Sequence, residues 1–143
     1  VSTQMEYSLV HREPEAEVIP AAEHHGMGIL AWSPLGRGVL TGKYRTGIPT
    51  DSRAADPGWS DFVSKHLTPA KSAVVEAAAR ASEGLGVTVA HVSLAWLLGR
   101  PGVASAIIGA RTTAQLQESL ASEELELPPE IVQALDDVSG ASH

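Results

Sequence analysis

A chain of 143 residues, 43% apolar and 19% charged, has the size and balance of one globular domain and is short for two. A formal charge of −7 argues against a broad nucleic-acid or anionic-membrane surface, so any phosphate site must be built locally from a few placed residues. There is no cysteine, which removes disulfides, thiolate metal sites and cysteine nucleophiles together and suits a reducing cytoplasm.

No apolar run approaches the roughly 18 residues that a membrane span needs. The chain opens at Val1, with neither an initiator methionine nor a leader, and "VSTQMEY" (1–7) already alternates as a β-rich strand. Both features read as a fragment. Pro14, flanked by Glu13 and Glu15, is suited to open a helix that carries Val18, Ile19 and Ala22 and stops near Gly26. His24 and His25 fall in its last turn and read as a solvated helix end. "MGILAW" (27–32) is short, apolar and bounded by turn residues, the pattern of a buried strand.

Residues 33–68 show no clear periodicity, and a stretch of that length inside a compact domain is usually a lid or a binding loop. Thr68 followed by Pro69 predicts a helix to about Glu83, ended by "GLG". A second helix is expected from about Thr88 to Leu98, with Val89, Val92, Leu94, Ala95 and Leu98 on its buried side. "VASAIIGA" (103–110) is the third strand. Thr112 or Thr113 caps the next helix, "AQLQESLAS", whose Leu116 and Leu120 are expected to be buried at i, i+4. A last helix begins at "PPEIVQALDDVS". Strands alternating with helices indicate a parallel α/β architecture.

Two segments carry chemistry. In "SPLGRGVLTGK" (33–43) a strand runs into Gly36, Gly38 and Gly42, so the backbone can approach a ligand and its N–H groups can form a concave anion site. Arg37 and Lys43 would add positive charge there. The glycine spacing is neither a Walker A nor a Rossmann fingerprint, and on composition alone an ordinary surface loop is the favoured reading. In "IIGARTTAQLQES" (107–119) a strand ends at Gly109 and a threonine-capped helix follows; its free N–H groups and Arg111 suit a phosphate or carboxylate. Taken alone, a plain strand-to-helix turn explains that segment better. Two such segments at the C-terminal ends of parallel strands are a stronger signal, because barrels bind ligands on that face.

The stretch "QMEYSLVHREPEAEVIPAAEHHGMGILAWSPLGRGVLTGKY", together with "AIIGARTTAQLQESL", closely resembles the C-terminal half of the aldo-keto reductases, from about Val1 to Ser139. The similarity is greatest to the branch that includes bacterial aldo-keto reductases and potassium-channel β-subunits. The resemblance implies the C-terminal part of a TIM (β/α)8 barrel: about three parallel strands with their helices plus an extra C-terminal helix, an incomplete barrel. Residues 1–143 would then be a single partial domain and 33–68 its cofactor-clasping loop. A whole barrel takes about 250 residues, so this chain would not close one alone.

The resemblance also implies NADP(H) as cofactor, with roles carried over position by position. Gln4 would hydrogen-bond the nicotinamide amide and Trp32 would stack on its ring. Ser33, Pro34, Leu35, Gly36 and Arg37 would hold the pyrophosphate, with Lys43 closing over it and Arg53 helping to clasp the cofactor. Gly109, Ala110, Arg111, Thr112, Gln115, Glu118 and Ser119 would surround the adenosine and its 2′-phosphate. Arg111 and then Gln115 are the candidates for that phosphate, and Glu118 would accept from the adenine amino group. Ser119 stands where many relatives have asparagine, which puts that contact in doubt.

The family's proton-donor tyrosine and its lysine, aspartate and histidine partners belong to the half of the barrel before Val1, so no catalytic residue is assigned here. Neither Tyr7 nor Tyr44 occupies the matching motif. His11, His24, His25, His66, His91 and His143 show no metal-ligand spacing, and no metal is expected. The implied activity is hydride transfer between NADPH and an aldehyde or ketone in a full-length cytoplasmic parent, with a small carbonyl substrate and neither nucleic acid nor membrane as partner. The chain by itself would be inactive. The alternatives are an NADPH-sensing regulatory subunit and a truncated, non-functional product whose open strand edges favour self-association.

Overall fold

The computed structural model describes residues 1–140; His143, one of the histidines considered above, lies outside them. Three strands form one parallel sheet in the order β1-β2-β3: β1 (Ser2–Glu6), β2 (Gly28–Trp32) and β3 (Val103–Ile107). Gln4 lies opposite Leu30, and Glu6 opposite Trp32. Trp32 in turn lies opposite Ile107, after a bulge that shifts the β2–β3 register between Ile29 and Leu30. Because side chains alternate along a strand, Met5, Ile29 and Ala31 enter the core while Gln4, Leu30, Trp32, Ser105 and Ile107 share the opposite face. On that second face Gln4, Trp32, Ser105 and Ile107 are exposed and Leu30 is partly buried. β1 and β3 are the open edges.

The helices build the other layer. α1 (Val18–His24) starts later than Pro14 suggested: residues 13–15 form a separate 3₁₀ turn with Pro14 buried, and the α-helix follows it. Its end is a Schellman motif. Gly26, at φ +62°, donates to Glu23, and Met27 donates to Ala22. Between β2 and β3 run α2 (Ser60–Ser64), α3 (Pro69–Leu85) and α4 (Val89–Leu98). Thr68 and Thr88 cap the last two, each side chain accepting from the backbone three residues on. α5 (Thr113–Ala121) is capped by Thr112, and α6 (Pro129–Gly140) packs on α3.

Three expectations need correction. The 33–68 segment is not wholly irregular: 3₁₀ turns at residues 36–41 and 53–55 and the short α2 interrupt it. Their runs are too short for a periodic signal. α4 buries Val92, Leu94, Ala95, Trp96 and Leu97 around most of its circumference, so a single apolar side understates it. Leu116 and Leu120 are not buried: they are 41% and 53% exposed, because α5 offers its leucine stripe to a side that none of the described residues covers.

Candidate functional site at the C-terminal ends of the strands

β2 ends at Trp32, and the next ten residues concentrate unusual backbone. Ser33 (φ +49°), Gly36 (+55°), Arg37 (+60°), Gly38 (+94°) and Gly42 (+79°) all take positive φ. Ser33 and Arg37 are the only non-glycine residues to do so among the described residues. A non-glycine residue held there costs roughly 1–2 kcal/mol, and such strain gathers where a site needs a particular shape. Gly36 is also sterically required. A β-carbon there would lie 2.4 Å from Val10 Cγ2.

The turn does not use its glycines as an open anion cradle, as the sequence suggested. Gly36, Gly38 and Gly42 N–H groups donate to the carbonyls of Ser33, Leu35 and Val39, so these donors are spent inside the turn. What the glycines allow is close approach. A β-carbon on Gly38 would sit 3.1 Å from the Lys43 ammonium, whose side chain folds back across the turn.

Arg37 is not a free cation. One guanidinium nitrogen is 2.6 Å from Glu6 Oε2, another donates to the Phe62 carbonyl, and the guanidinium lies 3.6 Å from the centre of the Phe62 ring. The other oxygen of Glu6 accepts from His66 Nε2 at 2.9 Å, and His66 Nδ1 is 3.1 Å from the Lys71 ammonium. His66 thus links the Lys71 ammonium to the Glu6 carboxylate. Burial alone would raise the Glu6 pKa. Hydrogen bonds from His66 and Arg37 and the Arg37 charge outweigh it and hold the carboxyl at about 2. His11, beside this cluster, is shifted down, chiefly by burial and against the pull of Glu13 and Glu6.

Of the candidate site cations, Lys43, Arg53 and Arg111 remain, all exposed and without a carboxylate partner among the described residues. Arg53 lies 5.8 Å from the Trp59 ring centre. On the sheet face, Gln4 and the 36%-exposed Trp32 sit diagonally on neighbouring strands, with Ile107 beside Trp32. Aromatic, amide and apolar groups thus line one open surface.

At the second segment, Gly109 has open space where a β-carbon would stand. Thr112 Oγ1 accepts from Gln115 N, and the Gln115 side chain reaches back to the N–H of Arg111 at 2.8 Å. This is a close relative of a capping box, and it occupies the Gln115 carbonyl. Glu118 accepts from the Thr88 hydroxyl, so it is neither free nor fully solvated. Ser119 is partly buried and its carbonyl accepts from Ser122. The α4 N-terminus lies between the two segments: Val89 packs where a β-carbon on Gly42 would stand (3.3 Å), while neighbouring Thr88 bonds Glu118.

Sequence reasoning missed Glu6 and His66 in the first cluster, and a second cluster entirely. Arg12 binds Glu15 through two nitrogens at 2.8 Å and also meets Asp136 and Ser139. Arg100 grips Asp136 at 3.0–3.1 Å, and Trp96 Nε1 donates to the same carboxylate. Tyr7 donates to Glu15 at 2.7 Å; burial first, then this bond to a carboxylate, push its pKa up. Its hydroxyl is thus engaged inside the second cluster.

A sequence model described as the aldo/keto reductase family matches residues 1–139. The chain belongs to the aldo/keto reductase family. Its open three-stranded sheet with helices is consistent with part of that family's barrel. Among individual relatives, the Bacillus subtilis protein named "Uncharacterized oxidoreductase YrpG" is 38% identical over 141 residues, 96% of this chain and 40% of that protein. The Arabidopsis thaliana protein named "Probable voltage-gated potassium channel subunit beta" is 39% identical over 119 residues, 82% of this chain and 36% of that protein. A rice protein of the same name is 35% identical over 139 residues, 94% and 42% of the respective chains. The chain therefore spans about two fifths of the length of these aldo/keto reductase relatives.

Proposed function

We propose that this chain is the cofactor-binding half of an NADP(H)-dependent aldo-keto reductase, acting with the remaining barrel on an aldehyde or ketone. The observation that carries the reading is the exposed pair of Trp32 and Gln4 on the uncovered sheet face, beside a strained turn and an overlying lysine. NADPH, when bound, supplies the hydride. Trp32 would offer its ring to the nicotinamide and Gln4 its side-chain amide, fixing which ring face is presented. Lys43 would neutralise pyrophosphate charge. Arg53 would close from the loop, and Arg111 would meet the 2′-phosphate near the cap of α5.

The turn suits the dinucleotide because Gly38 lets Lys43 lie across the backbone, and Lys43, Arg53 and Arg111 have no carboxylate partner among the described residues. The match is weaker for Gln115 and Glu118, each of which already has one side-chain oxygen engaged. Our reading therefore places the 2′-phosphate on Arg111 and has Glu118 and Ser119 shape the adenosine end. No side chain here is assigned as proton donor, and the chain alone should turn over no substrate.

Titrating NADPH and NADH against tryptophan fluorescence tests this. Saturable quenching with at least tenfold preference for NADPH, lost in Arg111→Ala, supports the reading; equal affinity for both dinucleotides removes the 2′-phosphate assignment. A second reading, a regulatory NADPH-sensing subunit, is favoured by the 39% identity to a plant protein named for a channel subunit. Carbonyl-dependent NADPH oxidation by the whole protein separates the two.

A further inference from the structure

Glu6 is at the end of β1, two residues beyond Gln4 and on the same sheet face, yet it is 8% exposed where Gln4 is open. Its two oxygens bind opposite ends of one segment. Oε2 holds Arg37, four residues into the 33–68 loop, and Oε1 holds His66, two residues before the loop ends. Arg37 reinforces this by donating to Phe62 and stacking on its ring, which fastens α2 to the glycine turn. Between these anchors most of residues 45–59 are exposed. The base of the loop is pinned and its tip is open.

The backbone of Arg37 bears on this. At φ +60° a glycine would be unstrained, so the position bears strain in order to keep a long cationic side chain. That side chain points to a carboxylate and a carbonyl within the protein rather than to solvent, and its charge is consumed there. Arg37 is thus a strut.

We propose that Glu6 is a positioning residue for the dinucleotide loop: one carboxylate pins both ends of residues 33–68 to the strand, so that it sets how long a bound dinucleotide is retained without touching it. This rests on the dinucleotide reading above for its ligand, and on the geometry alone for the pin.

The test combines amide hydrogen exchange with stopped-flow release of NADPH from the 143-residue chain. In Glu6→Gln, exchange at residues 35–41 and 60–67 should rise at least tenfold while β2 and α3 keep their protection, and NADPH should leave at least tenfold faster. Arg37→Gly relieves backbone strain, so it is expected to fold; it should show the same two-segment loosening. His66→Gln keeps a donor toward Glu6 and should stay within threefold of wild type, whereas His66→Ala should not. Unchanged exchange at residues 60–67 in Arg37→Gly overturns the pin, as does unchanged NADPH release from a loosened loop. A wild-type chain that takes up no NADPH overturns the dinucleotide reading and the retention claim with it, and the exchange data would then show the pin separately.

Discussion

Glu6 and Tyr7 are chain neighbours, yet each belongs to a different buried polar cluster. Glu6 joins Arg37 and His66 at the mouth of a loop; Tyr7 joins Glu15, Arg12, Arg100, Trp96 and Asp136 against the last helix. Both clusters neutralise buried arginines with carboxylates, but they fasten different things. The second bridges residues 12 and 136, so it closes the domain by holding α6. The first ties two ends of one local excursion to a strand. Removing it should open a loop; removing the second should loosen the fold.

The largest effect is therefore expected at Asp136. Asp136→Ala leaves Arg12 and Arg100 short of a shared acceptor and orphans the Trp96 N–H, a loss of about 3–5 kcal/mol by denaturant titration. If it costs less than the strand-end variant, the contrast between the clusters is wrong. Glu6→Gln keeps one acceptor oxygen and should cost about 2 kcal/mol, with the loss centred on the loop.

Acid should separate the clusters less sharply, because carboxylates in both are depressed. The Glu6 carboxyl sits at about 2 against an ordinary 4.5, and Glu15 is also lowered: burial opposes, while Arg12 and Tyr7 hydrogen bonds prevail. A depressed carboxylate contributes its full stability above its ordinary value and loses it as pH falls through the folded one. Stability should thus decline from about pH 4.5 toward pH 2, and Glu6→Gln should flatten part of that decline. The groups facing Glu6 in that titration are Arg37, His66 and His11, with Lys71 behind His66. The smallest effect is at a cap: Thr112→Ala should cost about 1 kcal/mol.

What the sequence disclosed was local. The cap at Thr68, a cap at Thr112 or Thr113, the start of α4 near Thr88 and the short apolar β2 were readable because such patterns act within a few residues. Leu116 and Leu120 showed a stripe correctly but not what it faces, since i, i+4 spacing defines a side and nothing more. Arg37 was legible as charge in a glycine-rich turn. Its destination was not, because it depends on Glu6 and Phe62, 31 and 25 residues away. The Arg12–Asp136 pair, 124 residues apart, left no sequence signal at all. Periodicity assigns no roles, so the candidate roles rest on the family resemblance alone.

In the proposed function, one dinucleotide spans the turn after β2 and the cap of α5. Following backbone amide resonances of the 143-residue chain during an NADPH titration tests it most directly. Saturable shifts are expected at residues 33–43 and 109–118 with one common dissociation constant, and small changes around Asp136. Shifts confined to one of those segments, or none that saturate, would contradict it.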